Sequence, residues 1–196
     1  MAYPTISKPY GFKPINLIGG QVFAGSTRKM RIASGYATNI GFGDLLIRVN
    51  DGTVARSAAT SAKPTGGFAG VFLGCEYINP TNGQLQFQQN WVGGTTVSSG
   101  VITAYVCDDP DTLFQVAVVS GTTVVTGVQF TAVGNNATIV DNASNTTTGD
   151  SQLAITDSTA TTDTLPIRIV DVVPDTAYVS GGNTLYPEVI VKFNFG

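Results

Sequence analysis

The chain lacks several residue types on which common enzymes and metal proteins depend. It has no histidine, only two cysteines and only 12% charged residues among its 196. Without histidine there is no Ser-His-Asp triad, no imidazole acid–base catalyst and no histidine zinc ligand. The sequence also has no Gly-Lys-Ser/Thr phosphate loop and no dinucleotide-binding fingerprint. We therefore expect no catalytic residues, no cofactor and no enzymatic activity.

Signals for export and for membrane insertion are missing as well. The start Met-Ala-Tyr-Pro-Thr is not a basic segment followed by an apolar one, so no secretory signal is predicted. No apolar run approaches the ~20 residues that a membrane helix needs. The two cysteines, Cys75 and Cys107, each lie in a predicted strand, where a free cysteine is usually a small buried hydrophobe. A disulfide between them stays open if the two strands are neighbours.

The residues that are present favour strands and turns. The chain has 23 glycines and many threonines and valines, but only two glutamates, so it is poor in residues that helices prefer. Short apolar runs with a period of two residues recur every 8–12 residues. This pattern predicts an all-β sandwich or barrel of short antiparallel strands, with no exact internal repeat. We expect a body over residues 21–196, an extended arm over residues 1–20, and a peripheral hairpin within residues 134–164.

The stretch Val101–Val119 is the predicted centre of the body. Two runs rich in β-branched residues flank Asp108-Asp109-Pro110-Asp111, four residues that favour turns. Both runs carry apolar side chains on both faces, so we expect one hairpin buried in the core. The three aspartates are interpreted as a turn; a Ca²⁺ site built from them stays open.

Two further segments have a distinct pattern. Leu85–Trp91 alternates large apolar residues with Gln and Asn, which predicts a strand with one wet face, on a sheet exterior or at an interface. The polar loop Asn142–Asp150 has no apolar anchor and is expected to be mobile or held only by contacts between subunits. A strand is also predicted over Thr122–Thr131.

Charge is distributed unevenly along the chain. Residues 1–63 contain eight basic and two acidic residues, whereas residues 64–196 contain two basic and eleven acidic ones. A basic head on an acidic body suggests that the head meets an acidic protein surface; folding back onto its own body is the alternative. Arg28, Lys29 and Arg31 lie near aromatic residues, as in nucleic-acid binding. The acidic body would repel a polyanion, so we expect no nucleic-acid partner.

The arm combines rigidity with apolar side chains. Pro4, Pro9 and Pro14 block helix and ladder, and a Gly19-Gly20 pair ends the segment. Apolar residues are interleaved among the prolines, unlike in a disordered tail. We therefore interpret residues 1–20 as an arm that docks on another surface.

Several short motifs of strand and turn residues occur in order along the chain. They are Tyr10-Gly11-Phe12-Lys13-Pro14, Leu17-Ile18-Gly19-Gly20, Ala24-Gly25-Ser26-Thr27-Arg28, Gly43-Asp44, Gly70-Val71-Phe72-Leu73-Gly74, Arg168-Ile169-Val170-Asp171 and Val173-Pro174-Asp175. These motifs resemble those of structural proteins of tailed bacteriophages, especially cyanophages and marine podoviruses. The chain is similar, on these motifs, to head decoration (cement) proteins. That class is β-rich, often trimeric, and binds the outside of the capsid, where it links neighbouring major-capsid subunits.

The resemblance implies a virion protein assembled in the host cytoplasm, a homotrimer whose partner is the major capsid protein. The predicted capsid contacts are the arm and the basic strand that follows: Tyr3, Ile6, Lys8, Tyr10, Phe12, Lys13, Ile15, Arg28, Lys29 and Arg31. An alternative is a carbohydrate- or receptor-binding module of a tail or fibre. Its candidate aromatic set is Trp91 with Tyr77 or Tyr105.

Overall fold

A computed structural model describes residues 6–97, 99–120, 123–124, 130–176 and 186–194. Within these residues the chain forms strands and a single turn of 3₁₀-helix, Phe130–Ala132, so the all-β prediction is confirmed. The strands are β1 (Lys13–Leu17), β2 (Arg28–Ile32), β3 (Leu45–Arg48), β4 (Val54–Arg56), β5 (Gly70–Ile78), β6 (Leu85–Gln88), β7 (Ile102–Cys107), β8 (Thr112–Ser120), β9 (Thr123–Val124), β10 (Asn136–Val140), β11 (Ala154–Ala160), β12 (Ile167–Val172) and β13 (Glu188–Phe193). Of the strand predicted over Thr122–Thr131, only β9 and the last two residues are described.

The strands form two small closed barrels of five strands each. In the N-barrel the ring runs β2-β4-β3-β5-β7 and closes from β7 to β2, with β6 attached to β5. In the C-barrel it runs β8-β11-β10-β12-β13 and closes from β13 to β8, with β1 and β9 attached to β8. Each interior is filled by side chains, chiefly of Val, Ile, Leu, Phe and Ala, which supplies most of the stabilisation of such small barrels.

The predicted central hairpin is wrong. β7 pairs with β2 and β5 in the N-barrel, whereas β8 pairs with strands of the C-barrel. The turn at Asp108–Asp111 therefore carries the chain from one barrel to the other. Apolar side chains on both faces reflect burial of β7 and β8 in two different barrels rather than in one shared hairpin.

The segment over residues 134–164 also differs from its prediction. β10 and β11 do form a hairpin, with Ile139 opposite Ile155. The hairpin is not peripheral, because β10 also pairs with β12 and β11 pairs with β8 to close the C-barrel. Ile155 is fully buried.

Residues 9–17 are part of the C-barrel instead of an arm that reaches away from the body. β1 pairs antiparallel with β8, from Lys13 opposite Gln115 to Leu17 opposite Thr112. Phe12 is fully buried and meets Phe114 edge to face at 6.3 Å between ring centroids. Prolines are tolerated here because β1 lies at the margin of the sheet, where one edge needs no ladder bonds.

The two barrels have the same topology. Numbering the ring strands of each barrel from one to five along the chain, both follow the order 1-3-2-4-5, with one parallel pair and four antiparallel pairs. The parallel pair is Ile32 opposite Val54 in the N-barrel and Val118 opposite Ile155 in the C-barrel. The fourth strand has a bulge against the fifth in both barrels.

Backbone hydrogen bonds at the start of the second ring strand repeat as well. Gly43 N–H donates to the Phe72 carbonyl, and Phe72 N–H donates to the Asp44 carbonyl. In the C-barrel, Gly134 N–H donates to the Ile169 carbonyl, and Ile169 N–H donates to the Asn135 carbonyl. Both glycines have positive φ, 91° for Gly43 and 85° for Gly134, a conformation that favours glycine. The chain therefore contains two structurally repeated barrels, although its sequence shows no exact internal repeat.

A buried polar network joins the barrels. The Asp44 carboxylate is fully buried and accepts hydrogen bonds from Gly41 N–H (2.7 Å), the Ser151 hydroxyl (2.6 Å) and Arg56 Nε (3.0 Å). Arg56 Nη2 also contacts Asp141 Oδ1 at 2.7 Å. Asp44 precedes β3 and Arg56 ends β4 in the N-barrel, whereas Asp141 and Ser151 lie in the loop between β10 and β11 of the C-barrel, so the network fixes one barrel on the other.

The loop Asn142–Asp150 is held at this joint, in contrast to the predicted absence of an anchor. Arg56 Nη2 donates to the Asn142 carbonyl, and Phe42 N–H donates to the Gly149 carbonyl. Gln89 Nε2 donates to Asp150 Oδ1 at 2.7 Å. The anchor is polar and comes from the other barrel, which a search for apolar residues within the loop does not detect.

Candidate functional site

Four adjacent strands of the N-barrel present one continuous outer face. A row of cross-strand neighbours runs from Arg31 on β2 through Thr103 and Glu76 to Phe87 on β6. Side chains between these positions, such as Met30, point into the barrel because residues alternate between the two faces of a strand. We call this surface the outer face; it consists of the outward side chains of β2, β7, β5 and β6.

The β6 end of the outer face is apolar and exposed. Phe87 is 67% exposed and Leu85 is 59% exposed, and Val101, nearer the middle of the face just before β7, is 47% exposed. β6 has no charged residue, and among the described residues it pairs with β5 alone. Sheet edges in soluble proteins are usually protected by lysine, proline or a covering segment. The apolar, uncharged edge of β6 therefore marks a surface suited to contact with another protein.

The β2 end of the outer face is basic. Lys29 Nζ lies 3.3 Å from Glu76 Oε1 and 5.2 Å from the centroid of the Tyr105 ring. The Tyr105 hydroxyl donates to Glu76 Oε2 at 2.7 Å. This hydrogen bond and Lys29 together lower the pKa of Glu76, and Glu76 in turn raises the pKa of Lys29. Glu76 is therefore ionised at neutral pH, and the Lys29 ammonium group compensates its negative charge.

Arg31 carries the remaining positive charge of the outer face, whereas Arg28 lies opposite the buried Val106 and directs its side chain to the other face of β2. Arg28 Nε contacts Asp108 Oδ2 at 2.8 Å, yet its side chain is 63% exposed. Arg31 is exposed and forms no ion pair with any described residue. Arg31 also lines a shallow groove of about 290 Å³ with Lys29, Glu76 and Val101. The face can therefore offer cations to an acidic partner without first breaking a buried pair.

The predicted contact residues fall into two separate groups. Arg28, Lys29 and Arg31 lie on β2, but only Lys29 and Arg31 belong to the outer face, and Arg28 and Lys29 also bind acids of their own chain. The arm residues belong to the C-barrel side, with Phe12 buried, the Tyr10 hydroxyl donating to Glu188, and the others half-buried or exposed. Those others are Ile6, Lys8, Lys13 and Ile15. Tyr3 lies outside the described residues.

Burial of Phe12 makes it a core residue, which corrects its assignment as a capsid contact. A phenylalanine with no exposed surface cannot touch a partner without unfolding of the C-barrel. Tyr10 is also engaged, since burial and the neighbouring Glu188 raise the pKa of its hydroxyl. The apolar periodicity of residues 9–17 reflects β-structure that packs in the chain's own C-barrel. It does not mark an exposed segment that docks on a partner.

The apolar contacts on β6 were not among the predicted site residues. The alternation of Leu85 and Phe87 with glutamines was the available signal, and it predicted a strand with one wet face on a sheet exterior. The turn at Asn79–Gly83 predicts the hairpin of β5 and β6, but the sequence could not show that β7 joins β5 to β2 and so places β6 on the same face as the basic strand.

The aromatic set proposed for carbohydrate binding does not form an exposed platform. Trp91 is fully buried and Tyr77 is 5% exposed, and the two rings pack edge to face at 5.5 Å in the N-barrel core. Tyr105 is half-buried, with its hydroxyl bound to Glu76. A sugar stacks on exposed aromatic rings, so the buried rings of Trp91 and Tyr77 cannot form a carbohydrate-binding surface.

The aspartate turn and the cysteines have structural partners. Asp108 binds Arg28, and Asp109 Oδ1 accepts from Asp111 N–H at 2.9 Å, which closes the turn. In the described ranges, no group of three or more acidic or cysteine side chains is arranged to hold a metal ion. Cys75 and Cys107 are both buried free thiols, and burial raises the pKa of Cys75 to about 12.

Comparison of the chain with protein-family models, with curated proteins and with solved structures gives no match in any of the three. Over the part of the chain that the structure describes, no helix is long and apolar enough to cross a membrane.

Proposed function

We propose that this chain is a structural protein of a bacteriophage virion that binds the outside of the capsid and links major-capsid subunits. The observation that carries the proposal is the outer face, where exposed apolar side chains and exposed cations lie on one rigid β-surface. The class of partner comes from the motifs that resemble head decoration proteins. A homotrimer, as that resemblance implies, is part of the proposal.

The apolar end of the outer face supplies the affinity in this proposal. Burying one large apolar side chain is worth about 1.5–3 kcal/mol, whereas an exposed ion pair contributes about 0–1 kcal/mol. Leu85 and Phe87 together would therefore dominate attachment, and Lys29 and Arg31 would set orientation and encounter rate. This division assigns the docking role to β6 and β2 instead of the N-terminal segment.

The proposal is tested with phage heads stripped of this protein and re-coated with purified chain. Leu85→Ser/Phe87→Ser should lose most of its binding in a sedimentation assay. Ile18→Ser/Phe130→Ser is the matched control, because Ile18 (50% exposed) and Phe130 (66% exposed) are equally accessible but lie outside the outer face.

Equal loss of binding in both double variants would indicate non-specific stickiness and contradict the assignment of the face. Failure of the unaltered chain to coat heads at all would contradict the capsid function itself. Size-exclusion chromatography with light scattering of the unaltered chain checks the trimer at the same time.

A further inference from the structure

We propose that the open edge of β2 accepts an extended acidic segment of a partner protein as an added β-strand. The two barrels share one topology, and in the C-barrel the corresponding edge already holds an additional strand. In the N-barrel the equivalent edge, on β2, is open, and no described strand pairs with it as β1 pairs with β8.

The C-barrel shows what the complete arrangement looks like. One edge of β8 pairs with β13 through residues 114–117. The other edge is shared, since β11 pairs with Val118 and Val119 and β1 pairs with residues 112–115. The added strand β1 therefore covers the part of the edge that the closing strand β11 leaves open.

In the N-barrel, β2 occupies the position of β8. One edge of β2 pairs with β7 along its whole length, and the other pairs with β4 only at Ile32 opposite Val54. Ile32 corresponds to Val118 through the two parallel closing pairs. Counting back along each strand, Lys29 corresponds to Gln115 and Arg28 to Phe114, the residues that face Lys13 and Pro14 of β1.

That portion of the β2 edge has no backbone partner in the described structure. No described strand pairs with Arg28 or Lys29 there, and no backbone hydrogen bond from a turn or loop reaches them. Residues 24–29 are all exposed. Unpaired backbone groups in an extended strand are the template that strand addition uses.

The charge of the edge decides the chemistry of the occupant. Lys29 and Arg31 place two cations on the outward face of β2, and Arg28 adds a third at the start of the strand; opposite charges on neighbouring strands stabilise a pair while like charges destabilise it. A β1 segment from a second copy would bring Lys13 against Lys29, so this chain is a poor donor for itself. The fitting occupant is a strand of a different protein with aspartate or glutamate on its outward face, antiparallel to β2 as β1 is to β8.

This inference rests on the proposed function only for the identity of the donor, which would be a capsid subunit. The edge itself is tested without phage heads, so its failure and the failure of capsid binding are separate results. The probe is an acetylated, amidated hexapeptide of alternating aspartate and valine. Amide hydrogen exchange of the full chain is followed with and without this peptide.

The expected result is slower exchange of amides in residues 26–29 and no change at Leu85–Gln88, the other open edge. A peptide methylated at alternate backbone nitrogens, which keeps charge but loses ladder hydrogen bonds, should not slow exchange. Slowing at Leu85–Gln88 alone, or equal binding of the methylated peptide, would overturn the proposal.

Side-chain variants separate the charge requirement from the backbone. Lys29→Gln/Arg31→Gln should weaken peptide binding about tenfold, measured by fluorescence anisotropy. The control, Arg48→Gln/Lys63→Gln, has the same net charge with both changes away from the edge and should bind like the unaltered chain. Equal weakening in both variants would show a non-local charge effect and contradict strand addition at β2.

Discussion

The N-barrel and the C-barrel place very different side chains at equivalent positions. In the N-barrel, Leu45, Val71 and Cys107 form a cross-strand row that is fully buried against the C-barrel core. The equivalent row of the C-barrel is Asn136, Arg168 and Lys192, in the same register on the corresponding strands. Arg168 is exposed, and two like charges lie directly opposite each other.

The difference follows from what each row faces. The N-barrel row meets a second barrel, so it must be apolar to bury its surface without unpaired polar groups. The C-barrel row meets no further barrel within the described chain, and charges keep that end from accepting one, as polar capping repeats do in repeat proteins. The same barrel topology therefore has an apolar end that packs on a second barrel in the N-barrel. In the C-barrel it has a charged end on which no further barrel packs within the described chain.

Exchanging the two kinds of row should have the largest effect. Val71→Arg would place a charge in the inter-barrel core with no partner and should destabilise the protein by about 4 kcal/mol or more. The equivalent change in the other direction, Arg168→Val, should alter the free energy of unfolding by less than about 1 kcal/mol. Urea denaturation measures the free energy of unfolding of both variants. Similar losses in the two variants would contradict the different roles assigned to the two rows.

The additional strand of the C-barrel offers the next test. Phe12→Ala removes a fully buried ring and should cost about 3–5 kcal/mol, which also implies that truncation before residue 18 unfolds the C-barrel. Phe130→Ala, an exposed phenylalanine in the same barrel, is the control and should change little. A truncated chain that unfolds like the full one would restore the interpretation of an independent arm.

The joint between the barrels is expected to be nearly as sensitive. Asp44→Ala leaves Arg56 buried with one acidic partner fewer and should cost about 3 kcal/mol. Asp157→Ala, in an exposed position of β11, serves as the control. Because the network ties the two barrels together, the thermal transition of Asp44→Ala should broaden or split, and a single sharp transition at unchanged temperature would contradict that role.

The smallest expected effect concerns pH. Burial raises the pKa of Asp44, outweighing the Arg56 guanidinium and the hydrogen bonds from Ser151 and Gly41. A carboxyl whose folded pKa lies above its unfolded value of about 3.9 contributes stability below that value, and the contribution is lost as pH rises through the folded pKa. Asp44→Asn should lack this decline when unfolding is followed from pH 4 upward. Parallel pH profiles of the two proteins would refute the raised pKa.

Local pattern in the sequence was sufficient for the strands and insufficient for their partners. The segment Asn50-Asp51-Gly52 contains the Asp-Gly pair that favours hairpin turns, and it does join β3 and β4 in a hairpin, because hairpin geometry depends on a few neighbouring residues. The turn at Asp108–Asp111 looks equally good but joins two barrels. Turn chemistry determines that the chain reverses, not which strands hydrogen-bond afterwards.

The site was predictable in the same partial way. Arg28, Lys29 and Arg31 could be identified as a basic cluster from spacing alone, and their place on an exposed strand agrees with that identification. Leu85 and Phe87 join them only through two intervening strands, β5 and β7, a relation that depends on ring closure. The internal repeat was invisible because the two barrels share hydrogen-bond pattern and bulges but few identical residues.

The order of strands along the chain also has a mechanical consequence. β1 and β13 belong to the C-barrel, and the whole N-barrel is inserted between β1 and β8. Tension applied between residues 6 and 194 passes from β1 across β8 to β13, since both flanking strands pair with β8. The N-barrel is not part of this β1–β8–β13 ladder, and the hydrogen bond from Phe12 N–H to the Gly43 carbonyl couples it to the loaded segment next to β3. Its outer face, on β2, β7, β5 and β6, therefore lies outside the main load path.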